Sequence, residues 1–149
     1  MSGYIITKKT ETDAAEVSLC SDGIVRVMFK QKKEANEDAF EALFDLHKEL
    51  VEDVAYAYIY YAEDSSVVMT EDGRKFAKAK EHSYPKICNA VVVTNLGHKL
   101  LANFYLKFNK PFYPFKVFNK MEDAELWCSQ QTNKNAWSLY QVIQQIQRL

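Results

Sequence analysis

The segment Ala55-Tyr56-Ala57-Tyr58-Ile59-Tyr60-Tyr61-Ala62 carries no charge and has no polar face. A half-buried strand would alternate apolar and polar residues. This one is apolar on both faces, as expected of a central strand covered by helices. A polar break, Glu63-Asp64-Ser65-Ser66, and a short apolar step, Val67-Val68-Met69, follow it. Thr70-Glu71-Asp72-Gly73-Arg74-Lys75-Phe76 then reads as a helix start. Many α/β proteins place working residues at such a junction. Here it offers no nucleophile beside a base, no metal ligands and no phosphate loop.

The rest of the chain follows from that strand. Ala14 to Cys20 and Ile24 to Lys30 read as a hairpin around Asp22-Gly23, expected as a type I′ turn. Tyr4 to Thr7 would add an edge strand. Asn36 caps a first helix with Phe40, Leu43, Phe44, His47, Leu50 and Val51 on one face. Thr70 caps a second, basic helix that buries Phe76 and Ala77 and stops by Tyr84-Pro85. Ile87 to Thr94 is another internal strand. A third helix is expected from Asn95, with Leu96, Leu100, Phe104 and Phe108 inward. Phe115 to Phe118 is the last strand. Asn119 and Glu122 are spaced as a capping box for a fourth helix, which Asn133-Lys134-Asn135 should break before a final helix from about Ala136. The order predicts a single-domain α/β (α+β) fold: a mixed sheet opening with a hairpin, four helices packed on it, and an extra C-terminal helix.

The chain has 149 residues, 48% of them hydrophobic and 26% charged, which suits one globular domain. No secretory leader or membrane span is expected. Cys20, Cys88 and Cys128 are odd in number and far apart, which points to reduced thiols and a cytoplasmic protein. The net charge of −1 hides an asymmetry. Met1 to Asp72 holds 7 bases against 16 acids, and Gly73 to Leu149 holds 12 against 4. Folding could interleave the halves. Otherwise the molecule is dipolar, and either self-associates head-to-tail or offers a basic face to an anion.

Three stretches together resemble one family: the hairpin around Asp22-Gly23-Ile24-Val25-Arg26-Val27; the run Met69-Thr70-Glu71-Asp72-Gly73-Arg74-Lys75-Phe76-Ala77; and Asn109-Lys110-Pro111-Phe112-Tyr113-Pro114-Phe115-Lys116-Val117-Phe118 with Glu122-Asp123-Ala124-Glu125-Leu126-Trp127. Between Ala14 and Gln131 the chain is similar to the STAS-like bacterial proteins related to the sporulation anti-sigma-factor antagonist. The likeness is greatest to a branch with a long Asn-Lys-Pro loop before the last strand. The resemblance implies a STAS-like sheet and a regulatory, non-catalytic interaction module. Antagonists of this kind carry a phosphorylatable serine at the start of the helix after the central strand. Here that place falls at Asp72, so partner switching by phosphorylation is not carried over. Asp64-Ser65-Ser66 looks like the motif but lies too early and reads as a solvated turn.

Several surfaces can be named. The start of helix two, with Thr70, Glu71, Asp72 and Arg74, is the expected contact surface for a protein partner whose identity the sequence does not give. Gly97 to Lys120 lacks acids and interleaves lysines with aromatics, so Lys107, Lys110 and Lys116 form a candidate anion patch. The plainer reading puts the rings in the core and the lysines outside. A pI near 6.3 makes nucleic acid an unexpected partner. Leu139, Tyr140, Ile143 and Ile146 stripe the terminal helix, which either covers its own domain or builds a homodimer. His47, His82 and His98 match no zinc spacing, and no cofactor or catalytic group is expected. His47 reads as a core or boundary histidine. The alternative function is a small-ligand or lipid carrier, with a pocket lined by Tyr58, Tyr60, Phe104 and Phe108.

Overall fold

The structure is a computed structural model that describes residues 3–83, 85–95 and 110–148, the side chains of 136–140 excepted. Eight strands and three helices lie among them. In chain order they are β1 (Ile6–Glu11), β2 (Ala15–Cys20), β3 (Ile24–Phe29), β4 (Glu34–Ala35), α1 (Glu37–Val51), β5 (Tyr56–Ala62), β6 (Val68–Met69), α2 (Glu71–Ala79), β7 (Lys86–Val92), β8 (Phe115–Phe118) and α3 (Met121–Gln147).

The main sheet has the order β1-β2-β3-β5-β7-β8. The first three strands are antiparallel neighbours, and the β3–β5, β5–β7 and β7–β8 pairs are parallel. The tyrosine-rich strand is therefore internal, and Ala57, Tyr58 and Ile59 are fully buried. Period-two geometry sends Tyr58 to one face and Ala57 and Ile59 to the other. On the first face Tyr58 meets Val17, Val27 and Phe29 of the sheet and Phe40, Leu43 and Leu50 of α1. On the second, Ala57 and Ile59 meet Cys88, Ala90, and Ala124 and Cys128 of α3. Helices cover both faces, which is why this strand can do without a polar one.

The caps form as the side chains require. Asn36 accepts a hydrogen bond from the Ala39 N–H at 2.9 Å, with Glu37 and Asp38 in the first turn. Thr70 Oγ1 accepts one from the Gly73 N–H at 3.2 Å. Two residues per strand suffice for a second small sheet, in which β4 pairs in parallel with β6 and holds the starts of α1 and α2 side by side. Gly73 makes that approach feasible: a Cβ there would lie 2.1 Å from the Ala35 carbonyl oxygen.

The structure corrects several expectations. The hairpin turn is not type I′, since Gly23 takes a positive φ of 78° and Asp22 does not. Ser21, Asp22 and Gly23 form a three-residue connection closed by Gly23 N–H donating to the Cys20 carbonyl at 3.1 Å. The lone left-handed residue is then the glycine, and Asp22 Oδ1 is left to accept from the Ile24 N–H. The edge strand begins at Ile6 rather than Tyr4 and runs on to Glu11. Helix α2 stops at Ala79, before the Tyr84-Pro85 step. The Asn119 capping box does not form, because the helix starts at Met121 with Lys120 as its uncapped first flank. Asn133-Lys134-Asn135 does not break the helix either: the fourth helix and the C-terminal helix are one element of 27 residues. With no glycine or proline there, asparagine costs only ~0.7 kcal/mol per residue in a helix, and these three side chains are exposed to water. The helix expected from Asn95 falls on residues outside the description.

The second face holds a buried ion cluster. Arg26, 5% exposed, donates to both Asp22 oxygens at 3.1 and 2.8 Å and to Glu125 Oε2 at 2.5 Å. Its guanidinium lies 3.6 Å from the Tyr4 ring centroid. The hairpin turn is thereby pinned to α3, and an acid of the acid-poor half meets a base of the acid-rich half. Cys20, Cys88 and Cys128 are buried free thiols.

Candidate functional site

The first face of the sheet does not close completely against α1 and α2. Between them lies a cavity of about 190 Å³. Its floor is Val17, Val27, Phe29, Tyr58 and Tyr60. Phe40, Leu43, Phe44 and His47 come from α1, and Phe76 and Ala77 from α2. Pro111 and Phe115 approach from the far end of the sheet. The cause is local. Only Gly73 of α2 is buried, so this helix leans on the sheet through the half-buried Phe76 and Ala77 instead of through a full apolar stripe.

Polar groups interrupt the apolar wall at a few points. Tyr58 and Tyr60 point the same way from β5, with rings stacked at 6.0 Å and 14°. The Tyr58 hydroxyl and His47 Nε2 share a short hydrogen bond. Lys86, the first residue of β7, lies with its Nζ 4.5 Å from the Tyr58 ring centroid and 5.2 Å from that of Tyr60. Its ammonium donates to Tyr60 Oη at 2.7 Å and to Asn89 Oδ1 at 2.9 Å. Burial pushes the Lys86 amine down to about 7, while the Glu81 carboxylate opposes that. Burial, and then the Lys86 charge, lower His47 to about 4, so its imidazole is neutral at physiological pH.

The rim is basic. Among the described residues, Arg74, Lys78, Lys80 and Lys86 line the cavity against the single acid Glu81. Lys78 and Glu81 are an ion pair at 2.8 Å. Lys80 lies over the Phe44 and Phe76 rings at 5.6 and 5.7 Å. Among the described residues no three His, Cys, Asp or Glu side chains are grouped to hold a metal ion. Nor is any helix among them long and apolar enough to cross a membrane.

The residues singled out in the sequence are scattered. Thr70 and Asp72 are taken up in the turn: the Thr70 hydroxyl donates to Asp72 Oδ1, and Asp72 accepts from the Gly73 N–H at 2.9 Å and the Glu37 N–H at 3.4 Å. Glu71 is exposed and pairs with Lys75 at 3.3 Å. Arg74 donates to the Met69 carbonyl and reaches the cavity rim. Lys110 and Lys116 are exposed, and Lys107 lies outside the described residues. Ile143 and Ile146 are exposed together with Val142, while the Leu139 and Tyr140 side chains are outside the description. Of the four residues expected to line a pocket, Tyr58 and Tyr60 do so, and Phe104 and Phe108 fall among residues not described. Lys86 was missed. The available signal was a lysine opening an otherwise apolar strand, whose reach onto the tyrosines depends on the β5–β7 register.

Among solved structures, the crystal structure of a protein with unknown function from Arthrobacter sp. FB24 is similar over 76% of this chain and 97% of that one, at 24% identity and a TM-score of 0.26. A likeness that weak decides neither fold nor function. No curated protein matches the chain. The model of one family, Domain of unknown function (DUF7793), matches residues 18–132, well over half of the chain, and the chain therefore belongs to that family.

Proposed function

We propose that this protein is a non-catalytic binding module whose ligand is a small, largely apolar molecule held between the sheet and helices α1 and α2. The observation that carries this reading is the cavity itself, apolar over most of its wall, with His47, Tyr58, Tyr60, Lys86 and Asn89 among the polar groups that give it direction. Ligand sites are concave, mainly apolar and furnished with a few placed polar groups.

The neutral probe indole tests it. At ten times its dissociation constant a bound ligand stabilises by about 1.4 kcal/mol, which raises the melting temperature by ~3 °C. Ala77→Trp, which fills the cavity from α2, should abolish that rise. Absence of the rise in the unaltered chain, or its persistence in the variant, would rule the reading out.

The STAS-like relation accompanies this reading as a proposal, supported by the internal tyrosine strand leading to a threonine-capped helix. It assigns Glu71 and Asp72, both exposed at the start of α2, to the meeting place with a protein partner. Homodimerisation through the end of α3 is likewise proposed. It rests on exposed Val142, Ile143 and Ile146 flanked by glutamines, which impose no charge repulsion between copies.

A further inference from the structure

We infer that Cys88 and Cys128 form a reversible oxidation site, which a hydroperoxide closes to a disulfide joining α3 to the middle of the sheet. The site lies on the second face of the sheet, away from the cavity, and does not depend on it.

Small side chains bring the two sulfurs together. Cys88 and Ala90 share one face of β7, because residues two apart on a strand point the same way. Ala57 of β5 is the register partner of Cys88. Ala124 and Cys128, four apart, share one face of α3 and are its buried residues among those described. Alanine against alanine lets helix and sheet approach closely, so the two thiols, each 0% exposed, meet at 3.9 Å. Closing to a bond of about 2.05 Å takes a movement of about 2 Å, within the reach of side-chain rotation at the two cysteines. The third cysteine is used differently: Cys20 Sγ donates to the Ser18 carbonyl at 3.8 Å, within its own strand.

The pair is set up to react in order. The hydrogen bond between the sulfurs holds the Cys88 thiol below its ordinary value, while the same bond and burial raise Cys128. Cys88 therefore ionises first, and the thiolate is the nucleophile. It attacks one oxygen of the hydroperoxide. The O–O bond breaks, and Cys88 becomes a sulfenic acid. The departing oxygen takes up the proton that Cys88 released and leaves as an alcohol, or as water when the oxidant is hydrogen peroxide. The Cys128 sulfur then attacks the Cys88 sulfur. The S–S bond forms, the S–O bond breaks, and hydroxide leaves as water with the Cys128 proton. The two thiols together lose two electrons and the peroxide gains them. A dithiol reductant reverses the result.

Access comes through α3. Its first turns hold the sheet with the buried Ala124 and Cys128 and the partly buried Met121 and Trp127. Local opening of so short an anchor uncovers both sulfurs at once, and a hydroperoxide is small enough to follow. The disulfide then fastens the same anchor across a separation of 40 residues, which restricts the unfolded chain and stabilises the folded one.

The full chain, reduced and folded, provides the test when it is treated with hydrogen peroxide in modest excess and quenched with an alkylating reagent in denaturant. Free thiols should fall from three to one, the mass should drop by two hydrogens, and a non-reducing peptide map should link Cys88 to Cys128. The melting temperature should rise by at least ~5 °C and return when dithiothreitol is added. Cys20→Ala should form the same link and lose both of its remaining thiols. Cys88→Ala and Cys128→Ala should show no thermal rise. Survival of all three thiols, oxygen adducts without a link, or a link that involves Cys20 or joins two chains would each overturn the site.

Discussion

His47 is the residue at which burial and protonation collide. The helical face of α1 places it between Leu43 and Leu50, where an apolar side chain would ordinarily sit, and Tyr58 answers with a hydroxyl. Its pKa of about 4 lies below the ordinary 6.5. Between those values the unfolded chain binds more protons than the folded one, so stability is complete above about pH 6.5 and is lost as pH falls through 4. The loss attributable to this one group is about 3 kcal/mol. Urea denaturation at about pH 7 and about pH 4.5 captures about 2 kcal/mol of it. His47→Gln should be less stable at the higher pH yet show a pH slope shallower by roughly that amount. An equal slope in both proteins would show that His47 is not buried in neutral form. The sequence disclosed this residue well, because a histidine at i+4 from Leu43 on an apolar stripe is read directly from helical spacing. Lys86 was hidden, since nothing local says that a lysine after Pro85 will lie across two tyrosine rings.

The starts of α1 and α2 lie against each other. Asn36 and Thr70 cap the two helices, Asp72 accepts from the Glu37 N–H, and β4 pairs with β6 just before both starts. Gly73 occupies the contact. Its missing side chain would point at the Ala35 carbonyl oxygen and carbon, at 2.1 and 3.0 Å, and at Asn36 Cα at 3.1 Å. All three are backbone atoms, which cannot step aside as a flexible side chain can. Gly73→Ala should therefore destabilise by about 2 kcal/mol, although alanine is the better helix former by ~1 kcal/mol. Chemical denaturation gives the number, and a stabilised variant would show that the helices are not in contact there. The caps were readable in the sequence, because asparagine and threonine before acidic first turns have one local explanation. The β4–β6 pair was not, because each strand is two residues long and exists only through the other.

The whole molecule has helices over both faces of its main sheet and one helix that outruns the sheet. At ~1.5 Å per residue α3 is about 40 Å long, beyond the usual span of a small domain. Its first turns bury Ala124 and Cys128, whereas Val142, Ile143 and Ile146 are 51%, 46% and 61% exposed. A distal stripe of that kind is where the proposed homodimer forms. The double variant Ile143→Glu, Ile146→Glu should sediment as a monomer under conditions where the unaltered chain is a dimer, with its melting temperature within ~2 °C of the parent's, because the altered positions are already in water. Monomeric behaviour of the unaltered chain at tens of micromolar would end the dimer proposal. Arg26 with Glu125, and Glu71 with Lys75, join opposite charges from the two halves.

What the sequence determined by itself was whatever rests on near neighbours along the chain: the internal tyrosine strand, the two capped helices, the buried face of α1, and the α/β order. Those follow from periodicity and capping chemistry, which act within a few residues. Tertiary structure alone decided what depends on distant segments sharing space. That includes the β4–β6 pair, the Gly73 contact, and the cavity in which β7 lays its first lysine over the aromatic rings of β5. A cavity belongs to no segment; it is the volume that packed elements fail to fill, and only their relative placement defines it.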